Sequence, residues 1–515
     1  MTRVARARAV LLLLALGTPA CLQRPAVDAN TIVVSLTNGP NNLDPRMATD
    51  DASQKVHQLI FDNFMELDDH LRMVPKLAES LEHPDPLTYI ATLRQGIHFH
   101  DGRELTADDV VFTFGQFLDP SFVSPRKGGY RELKSVEARD ARTVVFTLKQ
   151  PFASFPINLM MPIVERGAGP DLRDHPIGTG PYRFVRYDVD DRIELVANQD
   201  YWAGAPKNSG LVLKIVPDDV MRGLELQKGT MDIVINDLAP DIVHQMRGNP
   251  ALQIVEGPGV DYQYIGLNLQ DDRLRDVRVR QALAYAIDRD AIVEHLRRGL
   301  AVPANGMLSP LSWAAAPDLP SYPHDPARAK ALLDEAGYPD PDGDGRGSRL
   351  ALTLKVSNSE FNRLQSSVIQ QNLRDVGVEL DVRTYEFATL YADVLSGNFQ
   401  LFTLQWTAGA LADPDILRRV FHSKQAPPAG FNRGRYSNPE VDALLDRAGN
   451  MEDSAGRLEL YSQVQRIIAR DVPYVSLWYK TNVAVAQRGL AGVRLTPLAD
   501  YYFLKDVARV AVATN

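Results

Sequence analysis

Few residues in this sequence stand at spacings that do chemistry by themselves. His98 and His100 are two apart, which on a strand points both imidazoles to one face and suits a metal dyad, but no third ligand follows at a recognisable interval. Asp340-Pro-Asp-Gly-Asp-Gly345 copies the first half of a calcium-binding EF-hand loop, with oxygens at positions 1, 3 and 5 and glycine at 6. Its twelfth position is Ala351 where a bidentate glutamate belongs, so a polar turn after a helix is the simpler reading. No Gly-x-Ser-x-Gly elbow, His-Glu-x-x-His pair or Gly-x-x-x-x-Gly-Lys loop occurs, and the only cysteine is Cys21. The expectation is a protein that is not an enzyme, with no cofactor and no bound metal.

Cys21 offers chemistry of another kind. Arg3, Arg6 and Arg8 precede the apolar run 9–16, and Gly17-Thr18-Pro19-Ala20 follow with small residues, the pattern of an export signal over 1–20. A thiol at this position is the nucleophile that diacylglyceryl transfer needs, which predicts lipidation of Cys21. Thr18 and Pro19 depart from the usual lipobox, where Leu and a small residue stand, so ordinary cleavage near Ala20 is the alternative. Cleavage before Cys21 takes the basic count from 56 to 53 against 65 acidic residues, a net charge of about −12. An acidic body argues against a nucleic-acid partner. Beyond the start of the chain no apolar stretch reaches the length of a membrane span, so membrane attachment is expected only through an N-terminal lipid anchor.

The elements that must position any site are legible from local patterns. At 515 residues, with 45% hydrophobic and 23% charged, the chain is long enough for two or more lobes. Strand-like stretches at 32–36, 143–148 and 211–216 interleave with helical patterns, which predicts a mixed α/β architecture. Thr106-Ala-Asp-Asp109 reads as a capping box, with Val110, Phe114 and Phe117 on one helical face. Asp325-Pro326 and Asn438-Pro439 each place a cap and an N1 proline before apolar residues at helical spacing, closed by Gly337 and Gly449. Residues 277–287 follow the amphipathic pattern through Val279, Ala282, Leu283 and Ala286, and Asp288 caps a further helix through Ile292 and Leu296.

Phe99-His-Asp-Gly-Arg-Glu-Leu-Thr-Ala-Asp-Asp-Val-Val-Phe-Thr-Phe114 resembles the signature of the peptide/nickel-type extracellular solute-binding proteins of ABC importers, family 5. Companion motifs follow in family order: Asn42-Leu-Asp-Pro45, Pro176-Ile-Gly-Thr-Gly-Pro-Tyr182, Asn198-Gln-Asp-Tyr-Trp202, Leu226-Gln-Lys-Gly229, Asp276-Val-Arg-Val-Arg280 with its continuation to Arg289, and Asp471-Val-Pro-Tyr474. The resemblance implies a bilobal periplasmic-binding-protein fold of type II, α/β, with a small extra domain in lobe one and the ligand cleft between the lobes. By analogy lobe one comprises 29–60, 178–265 and 485–512, the extra domain 61–177, and lobe two 266–484. The implied function is capture of a peptide-like or other organic solute by cleft closure, with delivery to an inner-membrane ABC permease and its cytoplasmic ATPase, by a monomer in the periplasm or on the outer face of the cell membrane. A ligand-sensing lipoprotein and a nickel or metal-chelate binder are the alternatives, the latter prompted by His422.

The same resemblance places the ligand against Gln405-Trp-Thr-Ala-Gly-Ala-Leu-Ala-Asp-Pro-Asp415. In peptide-binding members an aspartate a few residues after the tryptophan holds the peptide ammonium, whereas Gly409 and Ala410 occupy that neighbourhood here. Asp413 is the remaining carboxylate of the loop, although Asp413-Pro414 also matches a structural element of the family. Trp406 and Thr407 are expected at the ligand, Asn42 and Leu43 face it from lobe one by the family pattern, and Arg433 or Arg435 is positioned to pair with an anionic group. The glycines of Pro176-Ile-Gly-Thr-Gly-Pro-Tyr182 read as a structural crossing where two chain segments approach closely.

Overall fold

The strand Thr31–Leu36 buries Ile32, Val34 and Leu36 and pairs in parallel with Gly210–Ile215 on one side and with Ile233–Ile235 on the other. It is the centre of a seven-stranded sheet in the order Leu252–Gly257, Asn482–Gln487, Ile233–Ile235, Thr31–Leu36, Gly210–Ile215, Arg192–Ala197, Tyr182–Asp188. A second sheet of six strands runs Ala301–Pro303, Tyr474–Lys480, Tyr262–Leu267, Leu401–Trp406, Leu350–Ser357, Val378–Tyr385. A four-stranded antiparallel sheet, Ala78–Asp85, Thr88–Leu93, Thr143–Leu148 and Leu133–Ala138, forms a separate layer. This computed structural model describes residues 28–343, 347–451 and 454–510, so the export segment, Cys21 and the end of the Asp340–Gly345 loop lie outside the described residues.

The chain passes from the first sheet to the second between Gly257 and Tyr262, and returns between Lys480 and Asn482. The expected divisions at 265/266 and 484/485 fall inside strands, and because Tyr262–Leu267 and Asn482–Gln487 each pair as one ladder, the passage between sheets sits a few residues earlier. The two crossing segments touch: a Cβ built on Gly259 would lie 2.2 Å from the Lys480 carbonyl oxygen, and the Lys480 N–H donates to the Asp261 carbonyl at 2.9 Å.

The signature run folds the four-stranded layer. The Asp109 carboxylate accepts the Thr106 N–H at 2.8 Å and starts the helix Ala107–Gly115, whose Val110 and Phe114 are fully buried against Phe146 and Tyr130. Each such apolar side chain contributes about 1.5–3 kcal/mol on leaving water. The expected caps at Asp325 and Asn438 accept N–H groups of the helices Pro326–Glu335 and Pro439–Gly449. After Asp288, however, the backbone makes one α turn over Arg289–Ala291 and a π turn over Ile292–Leu296 instead of one regular helix.

Two of the companion motifs, 176–182 and 198–202, converge on one buried node. The Asp62 carboxylate accepts from Tyr201 at 2.7 Å, the Trp202 indole at 2.9 Å and Thr179 at 3.0 Å, tying the exit from the first sheet to its return. Burial pushes the Asp62 carboxyl upward, opposed by the nearby Lys76 charge and by these donors. Gly178 and Gly180 pass so close to the end of the helix Asp51–Ile60 that a Cβ on either would fall 2.1 or 2.5 Å from Ile60 backbone atoms. His100 locks the same crossing, its Nε2 meeting the Gly180 carbonyl at 3.0 Å while Nδ1 accepts the Gly178 N–H at 3.3 Å. His98 is exposed and shares none of these contacts, so this crossing is served by His100 alone.

Candidate functional site

Trp406 ends a strand hydrogen-bonded on both sides, opposite Tyr262 of the neighbouring strand, so its backbone position is fixed by the second sheet. Thr407 then starts a 3-10 turn over Ala408–Leu411, and Asp415 leads into the short helix Ile416–Phe421. The indole is 8% exposed and meets the Phe431 ring edge-on at 5.3 Å. Arg433, 5% exposed, holds its guanidinium carbon 5.0 Å from the Trp406 ring centre and 5.3 Å from that of Tyr391. It donates to the Tyr264 hydroxyl at 3.0 Å and to the Tyr391 hydroxyl at 3.3 Å, and it forms no ion pair among the described residues. The Trp406 indole N–H and the Arg433 Nε are both buried without a hydrogen-bond partner. A buried cation surrounded by ring faces and phenols is stabilised by them only in part, because the cost of desolvating the charge is large.

Phe431 connects this cluster to open space, because its other contact is the Arg419 guanidinium at 4.6 Å. Arg419 lines a cavity of about 560 Å³, a size that suits a small organic ligand. One wall comes from Gly409, Asp413, Asp415 and Arg418, and the facing wall from Arg126, Arg131, Ser154 and Asn158, which precede or follow strands of the four-stranded layer. The walls are tied together at Asp413, whose Oδ1 accepts both the Ser154 hydroxyl and the Asp415 N–H at 2.8 Å. Arg457 donates to Ser154 Oγ at 3.1 Å, and the Ala153 N–H reaches the Gly449 carbonyl at 3.1 Å. Burial drives the Asp413 carboxyl upward, and it pushes that of Asp415 to about 6 against the opposing pull of Arg418, which lies at 3.2 Å.

The structure sorts the expected site residues. Trp406 and Arg433 come together; Gly409 and Asp413 line the cavity, and Thr407 is exposed at the head of the same loop. Asp413 is not a free anchor, because its carboxylate bridges the two walls. Leu43 is a correction: at 2% exposed it packs into the core beneath the seven-stranded sheet, with its N–H on the Arg173 carbonyl, so its side chain is withdrawn from any ligand. Asn42 shapes the preceding turn, accepting the Asp44 N–H at 2.8 Å. Arg435 takes a left-handed φ of 57° and shares none of the Arg433 contacts. His422 is 3% exposed, accepts the Lys424 N–H on Nδ1 and lies 3.2 Å from Asp446, so it secures a helix end instead of presenting a metal ligand. Among the described residues no cluster of three or more His, Cys, Asp or Glu is arranged to hold a metal.

Sequence reasoning missed the facing wall, Arg126, Arg131 and Ser154. The only signal was the basic, glycine-rich run Arg126-Lys-Gly-Gly129 in a stretch without apolar periodicity, which by itself reads as a solvated loop.

Comparison with known proteins agrees with this architecture. The chain is 31% identical over 494 residues to the oligopeptide-binding protein AppA of Bacillus subtilis (strain 168), covering 92% of this chain and 90% of the relative. The AppA structure in complex with a nonapeptide matches with a TM-score of 0.75 over 93% of this chain and 99% of that one, at 30% identity. Heme-binding protein A of Haemophilus influenzae (strain ATCC 51907 / DSM 11121 / KW20 / Rd) is 31% identical over 501 residues, 91% of this chain and 90% of that protein. The structure of NikZ from Campylobacter jejuni in complex with Ni(L-His) matches with a TM-score of 0.79 at 25% identity, covering 94% of this chain and 100% of the other. Residues 72–428 match the model of the bacterial extracellular solute-binding proteins, family 5 Middle. With its mixed α/β sheets arranged as in these bilobal type II structures, the chain belongs to the bacterial extracellular solute-binding proteins of family 5, the non-catalytic capture components of ABC importers.

Proposed function

We propose that this chain captures a peptide-like or other organic solute in the cavity between the Trp406–Arg419 segment and the Arg126–Asn158 wall, and delivers it to an inner-membrane permease and its ATPase. The observation that carries this reading is the cavity itself: about 560 Å³, polar, and walled by two layers that are bridged by contacts such as Ser154–Asp413. Contacts made by both walls exist only when the walls are together, so a ligand shifts the open and closed populations by its differential affinity. The crossings at 258–261 and 481 are the places where rotation is absorbed. Relatives named for oligopeptide and heme binding, and one solved with Ni(L-His), bracket the size range of cargo that this fold accommodates.

The reading includes export by the 1–20 signal, lipidation at Cys21, and a monomer held on the outer face of the membrane or in the periplasm; no described helix is long and apolar enough to cross a membrane. It assigns no catalytic step to any residue. Deleting the gene should abolish uptake of whatever solute the purified protein retains, with restoration by the wild-type copy, and Cys21→Ser should move the protein from the membrane fraction to the soluble one. Unchanged uptake in the deletion strain would refute the transport role, and an unchanged distribution of Cys21→Ser would refute the anchor.

A further inference from the structure

The charges lining the cavity are not balanced by one another. Arg126 spends its Nε and Nη2 on the Ala48 carbonyl oxygen at 3.0 and 2.7 Å and forms no ion pair among the described residues. Arg419 stacks on Phe431 and feels the Asp415 charge without forming an ion pair with it, and the Arg131 guanidinium forms none either among the described residues; both side chains are exposed. The acids on the same walls are largely spent: Asp413 Oδ1 accepts Ser154 and the Asp415 N–H, and Asp415 holds Arg418. Among the described residues Glu132 and Asp413 are the cavity carboxylates without an ion pair, against three guanidinium groups without one. The loop adds no counter-charge, since Gly409 and Ala410 line the cavity there and a Cβ built on Gly409 meets nothing within 4 Å.

We infer that the solute taken by this cavity is an anion, bearing a carboxylate or comparable oxyanion that the unpaired arginines grip, and that a free ammonium group contributes little to its capture. Planar guanidinium groups present paired N–H donors that match a carboxylate in two-point fashion. Closing the walls removes water from these charges, which strengthens their attraction for an anion and makes leaving them unpaired costly. An ammonium group would instead enter a cavity whose free charges are mainly positive, with Glu132 and the hydrogen-bonded Asp413 as the carboxylates that lack an ion pair. The inference rests on this cavity being the ligand site.

The test uses the full-length protein stripped of retained solute by unfolding and refolding, offered three matched pools of the same tripeptides: N-acetylated acids, free peptides and C-terminal amides. Native mass spectrometry and calorimetry should show the acetylated acids binding within about threefold of the free peptides, and the amides at least tenfold weaker. Arg131→Gln combined with Arg419→Gln should weaken acid binding tenfold or more with an unchanged melting temperature, while Glu132→Gln should not weaken it. Amides bound as well as acids, or acids bound equally by the double variant, would overturn the anionic assignment and leave the solute-binding reading standing. Should all three pools fail while a solute survives purification, its charge at pH 7 decides: an anion upholds the assignment and a neutral or cationic solute overturns it. A protein that retains nothing and binds no pool would refute the solute-binding reading itself, and the inference with it.

Discussion

Gly409 shows how much a single position decides. Its Cα faces space in which an added side chain meets no atom within 4 Å, on a cavity wall whose nearest carboxylates are already committed. Gly409→Asp should therefore fold normally, with a stability change within about 0.5 kcal/mol, as for other substitutions clear of packing. Its carboxylate would enter the cavity lined by Arg419 and Arg131, so binding of N-acetylated tripeptide acids should fall about tenfold while free peptides lose less. Equal losses for both ligand types, measured by calorimetry, would show that position 409 does not meet the ligand terminus. Trp406 and Arg433 make the complementary point. Each was recognisable by type and neighbourhood, but their stacking at 5.0 Å was not, because it depends on the loop after Phe431 folding back onto the end of a strand remote in sequence.

At the scale of elements, local chemistry was the readable part. The Thr106, Asp325 and Asn438 caps, the buried faces of their helices and the glycines of the 176–182 crossing follow from interactions within a few residues, and all form as the sequence indicates. The far wall of the cavity was not readable, since Arg126 and Ser154 acquire their roles only when the four-stranded layer packs on the second lobe. Leu43 was misplaced for the same reason: a family position near the cleft does not say which way the side chain turns, and here it turns into the core. The crossing is also where the elements are most exposed to mutation. Gly178→Ala puts a methyl 2.1 Å from the Ile60 carbonyl oxygen, which cannot move without unwinding the end of a helix, and should cost about 3 kcal/mol in denaturant unfolding. A change under about 1 kcal/mol would mean the crossing yields more easily than its geometry indicates.

The same crossing carries a pH dependence. Burial is the main cause that lowers His100 to about 4, and it does the same to His57, whose ring meets the Asn42 carbonyl at 3.2 Å. Both imidazoles are neutral in the folded chain and gain protons more readily once unfolded, where their value returns to near 6.5. Between these values the unfolded chain binds more protons, so stability present above pH 6.5 is lost progressively as pH falls to about 4. Denaturant titrations should show this slope, and His100→Gln should flatten it. A slope unchanged by the substitution would remove His100 from the account.

The whole molecule is two sheets joined by two adjacent crossings, with a third layer reaching round to wall the cavity. Gly259 approaches the Lys480 carbonyl so closely that the two crossings pack side by side. Such an arrangement has a purpose only if something is enclosed when the walls meet. The direct test is native mass spectrometry of the freshly purified full-length protein. The expected result is a discrete non-covalent adduct that is released on unfolding and that the refolded chain takes up again; a bare chain that also gains no mass from a cell-extract metabolite mixture would contradict solute capture.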